Sequence, residues 1–368
     1  MGKLIYADNA ATTGLSDAAL QAMLPYMQTE FGNASQPYSF ARAPKAALAK
    51  AREIIAKCIG AFPEEIYFTS GGSESNNWVL RNRAFAGSEI LLSPIEHHSV
   101  LNAVQEAEVI DRYLPVDEEG VVSVDALSEA ITDKTALVSV MMANNEIATI
   151  EPIAELAAVA HEHGCLFHTD AVQAVGHIEI DVHELGVDFL SASAHKFNGP
   201  KGIGFLYIRK GVEIHPLIAG GAQESHLRAG TENVAAVVGM ATALEENILH
   251  LCENKSYLRQ LEEHLFAHLQ GEGVECKRNG SLHNIPGNIS ISFAGFSGEA
   301  ILHRLDLKGI MISTGSACDS KDTQISHVLK AIHLPEDLAK GTIRISFGKH
   351  NTYEDAAAIA SALIQIVK

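Results

Sequence analysis

With 368 residues, 47% of them hydrophobic, the chain can bury a large core and is long enough for two folded units. Forty-five acidic against 27 basic residues leave a formal net charge of −18, which argues against direct nucleic-acid binding, because that calls for a basic face. No apolar run reaches the roughly 18 residues of a membrane span, and Met1 to Asp8 lacks the layout of a secretory signal, so a cytoplasmic protein without a membrane partner is expected.

In chain order, Leu4 to Thr13 reads as a short strand running into a turn, and Ser16-Asp17 caps a helix through Tyr26. Gly32 to Tyr38 is a loop. Helical periodicity from Pro44 to Ile59 sets Leu48, Ile54 and Ile55 on one face and stops at Gly60. Ile66 to Thr69 is an apolar strand that turns at Gly71-Gly72 into a helix near Ser73. Free backbone N–H groups and the positive end of the helix dipole meet there, which makes an anion seat, although a plainly capped helix reads the same way. The turn matches neither common nucleotide-binding glycine motif.

Strands and helices then alternate. A strand at Glu89 to Leu92 precedes a helix opened by Glu96-His97-His98-Ser99 and running to Glu108. A strand from Thr135 to Met142 ends at Asn144-Asn145-Glu146, and a helix spans Ile153 to His163. The strand Leu166 to Asp170 ends on a carboxylate, with Gln173 just beyond. An apolar run from Val187 to Leu190 reaches Ser193-Ala-His-Lys196, and a Gly-Pro-Lys-Gly-Ile-Gly turn leads to the strand Phe205 to Ile208. This order implies an α/β fold with a mostly parallel sheet between helices, where ligands sit at the carboxyl ends of strands. Ser73, His97, Asn145, Asp170, Gln173 and Lys196 all fall at such ends. Each has a bland account alone, as a cap, a turn residue or a surface group; together they read as one site. Lys196, with small residues before it and glycines after it, suits a lysine that carries a carbonyl cofactor as a Schiff base.

A polar, glycine-studded loop covers Gly220 to Asn233, followed by helices at Val234 to Leu251 and Tyr257 to His268. Composition then shifts to a smaller α+β unit with strands Asn288 to Phe293, Ile310 to Ser313 and Thr342 to Phe347. Its helices are Ser297 to Leu307 and Tyr353 to Val367. The expected division is a large domain, 13–250, and a small domain formed by 1–12 and 251–368. The five cysteines are scattered and include no C-x-x-C pair, suggesting neither a disulfide framework nor a metal site, and most are expected to be small buried hydrophobes. Cys318 differs: Ser, Gly, Ala and Asp surround it in a small, polar, mobile loop, the setting of a reactive thiol.

The runs Tyr6-Ala-Asp-Asn-Ala-Ala-Thr-Thr13, Phe68 to Asn76, Glu96-His97, Asn144 to Ile147, Asp170 to Gln173, Ser193-Ala-His-Lys196, Arg228 to Asn233, Ser313-Thr-Gly-Ser-Ala-Cys318 and Arg344 span nearly the whole chain. Their order and content resemble the pyridoxal-phosphate-dependent cysteine desulfurases of the NifS/IscS type, within the class V aminotransferases. The resemblance implies the fold type I architecture, a homodimer with a shared active site, and conversion of L-cysteine to L-alanine with the sulfur left as a cysteine persulfide. It also implies a sulfur-acceptor protein, either an iron–sulfur scaffold or a tRNA-thiolation enzyme.

By this resemblance Lys196 holds the pyridoxal phosphate covalently and moves the substrate Cα proton, which requires a low pKa. Asp170 pairs with the pyridinium nitrogen, Gln173 meets the ring oxygen, and His97 stacks on the ring and assists proton traffic. Gly72, Ser73, Ser193 and His195 hold the phosphate, joined by Thr231 of the other subunit. Asn145, beside the cofactor, and Arg344 bind the substrate carboxylate, and the Cys318 thiolate takes the sulfur. The sequence departs from the family pattern at Tyr38, where histidine is common, at Ala41 and Ala148, where glycine is usual, and at Ser225, where arginine is usual. These departures bear on the substrate entrance and acceptor docking. A selenocysteine lyase, and a cofactor-binding scaffold active only with an accessory protein, are the alternative readings.

Overall fold

Apolar runs that end abruptly on polar side chains dictate the centre of the molecule. The computed structural model describes residues 3–84, 87–107, 109–314 and 325–368. Its first half runs β1 (Ile5–Tyr6), α1 (Asp17–Gln28), α2 (Arg42–Cys58), β2 (Ile66–Thr69), α3 (Gly72–Arg83), β3 (Glu89–Leu92), α4 (His98–Gln105), β4 (Ile110–Tyr113), α5 (Val124–Ala130), β5 (Thr135–Ser139), α6 (Ile153–Glu162), β6 (Leu166–Asp170), α7 (Val182–Leu185), β7 (Phe189–Ser193) and β8 (Gly204–Ile208). Then follow α8 (Val234–Leu249), α9 (Leu251–Gly271), β9 (Lys277–Asn279), β10 (Asn288–Ser292), α10 (Gly298–Asp306), β11 (Ile310–Met311), α11 (His327–Ala331), α12 (Glu336–Lys340), β12 (Thr342–Ser346) and α13 (Tyr353–Val367).

Among the described residues one sheet has seven strands in the order β2-β8-β7-β6-β5-β3-β4. β7, β6, β5, β3 and β4 are parallel, and β8 runs against both β2 and β7. The α/β order therefore yields the mixed, mostly parallel sheet expected, and every residue of β3, β7 and β8 is buried because helices cover both faces. Ser16 caps α1 as its sequence suggests, accepting from the Ala19 N–H at 3.1 Å.

The second half builds an antiparallel sheet, β12-β10-β9, covered by α9, α10 and α13. A separate apolar cluster joins Leu261, Leu265, Ile289, Ile343 and Leu363 to Ile5 and Ala7 from the N-terminus. β1 reaches this part by pairing with β11. The start of α9 differs from the sequence reading. α9 begins at Leu251, six residues before Tyr257, and meets α8 at a 72° bend. No single helix among the described residues is long and apolar enough to cross a membrane.

Three central strands are also tied together through side chains. His168 on β6 is fully buried, its Nδ1 2.8 Å from Ser139 Oγ on β5 and its Nε2 3.1 Å from Ser191 Oγ on β7. Burial pushes its pKa down to about 3. The unfolded imidazole titrates near ~6.5, so the unfolded state binds the extra proton and stability falls as the pH drops from there toward the folded value. His168→Gln is expected to reduce proton uptake on unfolding by about one between pH 6 and 4, removing about 1.4 kcal/mol per pH unit from the acid slope of stability. Denaturant unfolding of both proteins across that range measures it; parallel slopes contradict it.

Candidate active site

The strand ends converge on a cavity of about 560 Å³. Gly72, Ser73, His97, Asn145, Asp170, Gln173, Ser193, His195, Lys196 and Arg344 all line it, so ten of the residues singled out from sequence come together. A more open groove of about 780 Å³ between Glu151, Lys255 and Arg259 is larger but has no lysine at a strand end.

β6 delivers Asp170 with 3% of its surface exposed. Its Oδ1 accepts from the Val172 N–H at 2.9 Å and its Oδ2 from Asn76 Nδ2 at 2.7 Å. β7 ends at Ser193 and enters a single 3-10 turn, Ala194–Lys196, from which the Lys196 amine donates to the Ala10 and Ala11 carbonyls at 2.5 and 3.0 Å. Gln173 Nε2 donates to the same Ala10 carbonyl at 3.0 Å.

At the β2 to α3 turn Gly72, and facing it Gly204 of β8, are required by space. A Cβ on Gly72 would lie 2.5 Å from Val172 Cγ2, and one on Gly204 would lie 2.7 Å from the Gly71 Cα. The turn therefore presses against β8 and the Val172 side chain, exposing the α3 N-terminus to the cavity beside Ser193 and His195.

Burial lowers the His195 pKa to about 4, with Lys196 and Lys201 pushing the same way, so the ring is neutral near pH 7; its Nδ1 lies 3.1 Å from Thr12 Oγ1. Burial also lowers His97, against the pull of Asp170 and with the push of Lys196 and His98. Beside it Glu96 is fully buried, and burial raises its carboxyl well above the usual range despite hydrogen bonds from Ser93 Oγ at 2.6 Å and the Met141 N–H at 2.7 Å. Arg344 is held by the Asn145 carbonyl at 2.9 Å and Asp8 Oδ1 at 2.7 Å. Its Nε is buried and has no partner among the described residues.

Thr231 is exposed and does not line the cavity. Its loop is nonetheless pinned to the β2–α3 junction. Buried Glu224 accepts from Arg52 at 2.9 and 2.6 Å and from the Phe68 N–H at 2.9 Å, while Arg228 forks onto Glu74 at 2.9 and 3.1 Å. These bonds hold Glu224, Ser225 and His226 at φ of 46°, 58° and 70°, a left-handed run that costs non-glycine residues free energy.

Cys318 lies outside the described residues, but the flanks of its segment are tied to Arg344, which lines the cavity, and to Glu96, the neighbour of cavity-lining His97. Ser313 and Arg344 exchange backbone hydrogen bonds at 3.0 and 2.7 Å, and His327 Nε2 sits 3.0 Å from the Glu96 carbonyl. Of the four described cysteines only Cys165 is buried; Cys58 and Cys276 are half-buried and Cys252 is exposed, correcting the expectation that most are buried.

Sequence reasoning missed Asn76 and Ser99 as site residues, and Val172 and Lys201 as lining. Asn76 stands one helical turn beyond Gly72, a spacing that places it over the same strand ends.

A doubly covered α/β sheet with a lysine-centred cavity at its strand ends defines the fold type I class of enzymes. The chain belongs to the aminotransferase class-V family, whose family model matches residues 5–359. It is 48% identical to a cysteine desulfurase IscS of Dictyoglomus turgidum over all of this chain and 95% of that relative. Among solved structures it resembles a NifS-like protein, with a TM-score of 0.91, 36% identity and 99% of each chain covered. It also resembles SspA in complex with cysteine, with a TM-score of 0.84 and 35% identity over 95% of this chain and all of that one.

The departures from the family pattern have local accounts. Ala148 keeps the left-handed backbone, φ 63°, that explains a glycine there, and Ser225 lies in the pinned left-handed run. Ala41 is buried, whereas Tyr38 is exposed.

Glu224→Ala removes three hydrogen bonds and strands the Phe68 N–H. It is expected to lower the unfolding free energy by about 3 kcal/mol, read as a reduced denaturation midpoint. A midpoint equal to that of the parent contradicts the pinning role.

Proposed function

We propose that this chain is a pyridoxal-phosphate-dependent cysteine desulfurase that converts L-cysteine to L-alanine and passes the sulfur through Cys318 to an acceptor protein. The observation that carries the reading is the convergence of Asp170, Lys196 and Arg344 on one cavity, with the flanks of the Cys318 segment bonded to Arg344 and to Glu96 beside His97.

The donors fit the cofactor. A buried carboxylate suits a pyridinium nitrogen, an amine suits an aldehyde, and a helix N-terminus with Ser193 and neutral His195 suits a phosphate. When bound, pyridoxal phosphate supplies an aldehyde for amine capture and a ring that accepts electrons. Lys196 would move the proton at the substrate Cα, Asp170 would face the ring nitrogen, and Gln173 would hold the ring oxygen. His97 would cover the ring and carry protons. Asn145 and the Arg344 fork fix the substrate carboxylate, with Asp8 holding the fork in place.

The role of Cys318 rests on its sequence motif. Its thiolate bonds to the substrate sulfur as the Cβ–S bond breaks, and that electron pair returns to carbon, which takes a proton to become the alanine methyl. The sulfur remains as a persulfide on Cys318 until a thiol or acceptor removes it. Thr231 is assigned to a second copy's phosphate seat, which makes the working unit a homodimer; its exposure outside its own cavity supports this. The division near residue 250 belongs to the same proposal, supported by the separate apolar cluster of the second half. Iron–sulfur assembly or tRNA thiolation is the proposed destination of the sulfur, in the cytoplasm.

Purified protein given L-cysteine is expected to release alanine and to gain one sulfur atom on the peptide bearing Cys318. Cys318→Ala should keep the bound cofactor while sulfide release with a reductant falls by more than about a hundredfold. Undiminished release by that variant defeats the mechanism.

A further inference from the structure

Two residues with no role in the reading above connect its two ring-facing groups. Asn76 is fully buried on α3, and its Nδ2 donates to Asp170 Oδ2 at 2.7 Å and to Ser99 Oγ at 2.9 Å. The amide orientation is fixed by chemistry, because the opposite one would set its carbonyl oxygen against a carboxylate. With both amide hydrogens so used, Ser99 Oγ is an acceptor on that side and turns its own hydrogen to His97 Nδ1, 2.8 Å away. The Ser99 backbone N–H donates to the same Nδ1 at 3.1 Å.

His97 Nδ1 therefore receives two hydrogen bonds and has no room for a proton of its own. The neutral ring must carry its proton on Nε2. We propose that Asn76 and Ser99 are positioning residues that lock His97 as the Nε2–H tautomer and hold Asp170 in the same hydrogen-bonded chain, so that His97 presents a donor to the cavity. The proposal rests on the desulfurase reading for what that donor serves, but the tautomer itself does not depend on turnover.

The consequence is directional. Protonated at Nε2, resting His97 can donate from that atom to an electron-rich oxygen or give up a proton there, and cannot take one at that atom until it has done so. Loss of Asn76 acts at both ends at once, freeing the Ser99 hydroxyl to rotate and leaving Asp170 Oδ2 without its donor. Loss of the Ser99 hydroxyl removes its bonds to His97 and Asn76 but leaves the backbone N–H bond to His97 and the Asn76 bond to Asp170 in place.

The test is histidine-selective ¹⁵N NMR of the full-length protein, with and without pyridoxal phosphate, the His97 signals assigned by their loss in His97→Gln. The parent should show a bare Nδ1 and a protonated Nε2. Ser99→Ala should shift the tautomer ratio toward Nδ1–H by about tenfold, the loss expected for one hydrogen bond, and Ser99→Thr should restore it. Asn76→Leu should shift it the same way and also move the pH titration of the bound cofactor's absorbance, which Ser99→Ala should leave nearer the parent. A protonated Nδ1 in the parent overturns the proposal, as does a ratio unmoved by Ser99→Ala. Failure of the parent to form alanine from cysteine would refute the desulfurase reading and leave the tautomer result standing.

Discussion

A carboxylate with 3% of its surface exposed is the constraint around which this protein is arranged. Taking Asp170 out of water costs several kcal/mol, which fixed donors must offset. Two are supplied, the Val172 N–H just after the strand and the Asn76 amide from the first turns of α3. Meeting them sets where β6 ends and how α3 lies across the strand ends, and α3 in turn needs Gly72 against Val172 and Gly204 of β8 against Gly71 for its close approach. Lys196 arrives on the turn that follows the adjacent parallel strand, whose register is tied to β6 through pairs such as Asp170 with Ser191. An anion suited to a ring nitrogen, an amine suited to an aldehyde and a helix N-terminus suited to a phosphate are thus consequences of one sheet topology.

The second half supplies what the sheet does not. Arg344 comes from β12, and its guanidinium reaches the cavity held by Asp8 and the Asn145 carbonyl. The chain enters the Cys318 segment beside Arg344 and leaves it against Glu96. Substrate fixation and sulfur transfer are therefore proposed to share anchors, and the same arrangement links His97 to the far flank of the cysteine segment through its neighbour Glu96.

Legibility in the sequence followed how local each signal was. The strands β6 and β7 and their polar ends were readable because apolar runs give way at Asp170 and Ser193, and the glycine turn before Ser73 marked the helix start; β5 was read three residues too long, to Met142, because Val140 to Met142 continue its apolar run past Ser139. The strand β4 was not, because Ile110 to Tyr113 is an exposed edge with mixed polarity, and β9, Lys277 to Asn279, hides for a similar reason. α9 was read six residues short since its first turn, Leu251 to Asn254, carries little apolar periodicity. The roles of Asn76 and Ser99 are invisible to a linear reading, because each depends on partners brought from other strands and helices. The motif around Cys318 was the reverse case, plain in sequence but outside the described residues.

The central claim is that Lys196 is the amine that captures an aldehyde in this cavity. Reduction of the pyridoxal-phosphate-loaded protein with borohydride, followed by peptide mass mapping, tests it most directly. The account predicts a stable phosphopyridoxyl adduct on the peptide containing Lys196 and its absence from Lys196→Ala. An adduct on Lys201 or another lysine, with Lys196 unmodified, would contradict it.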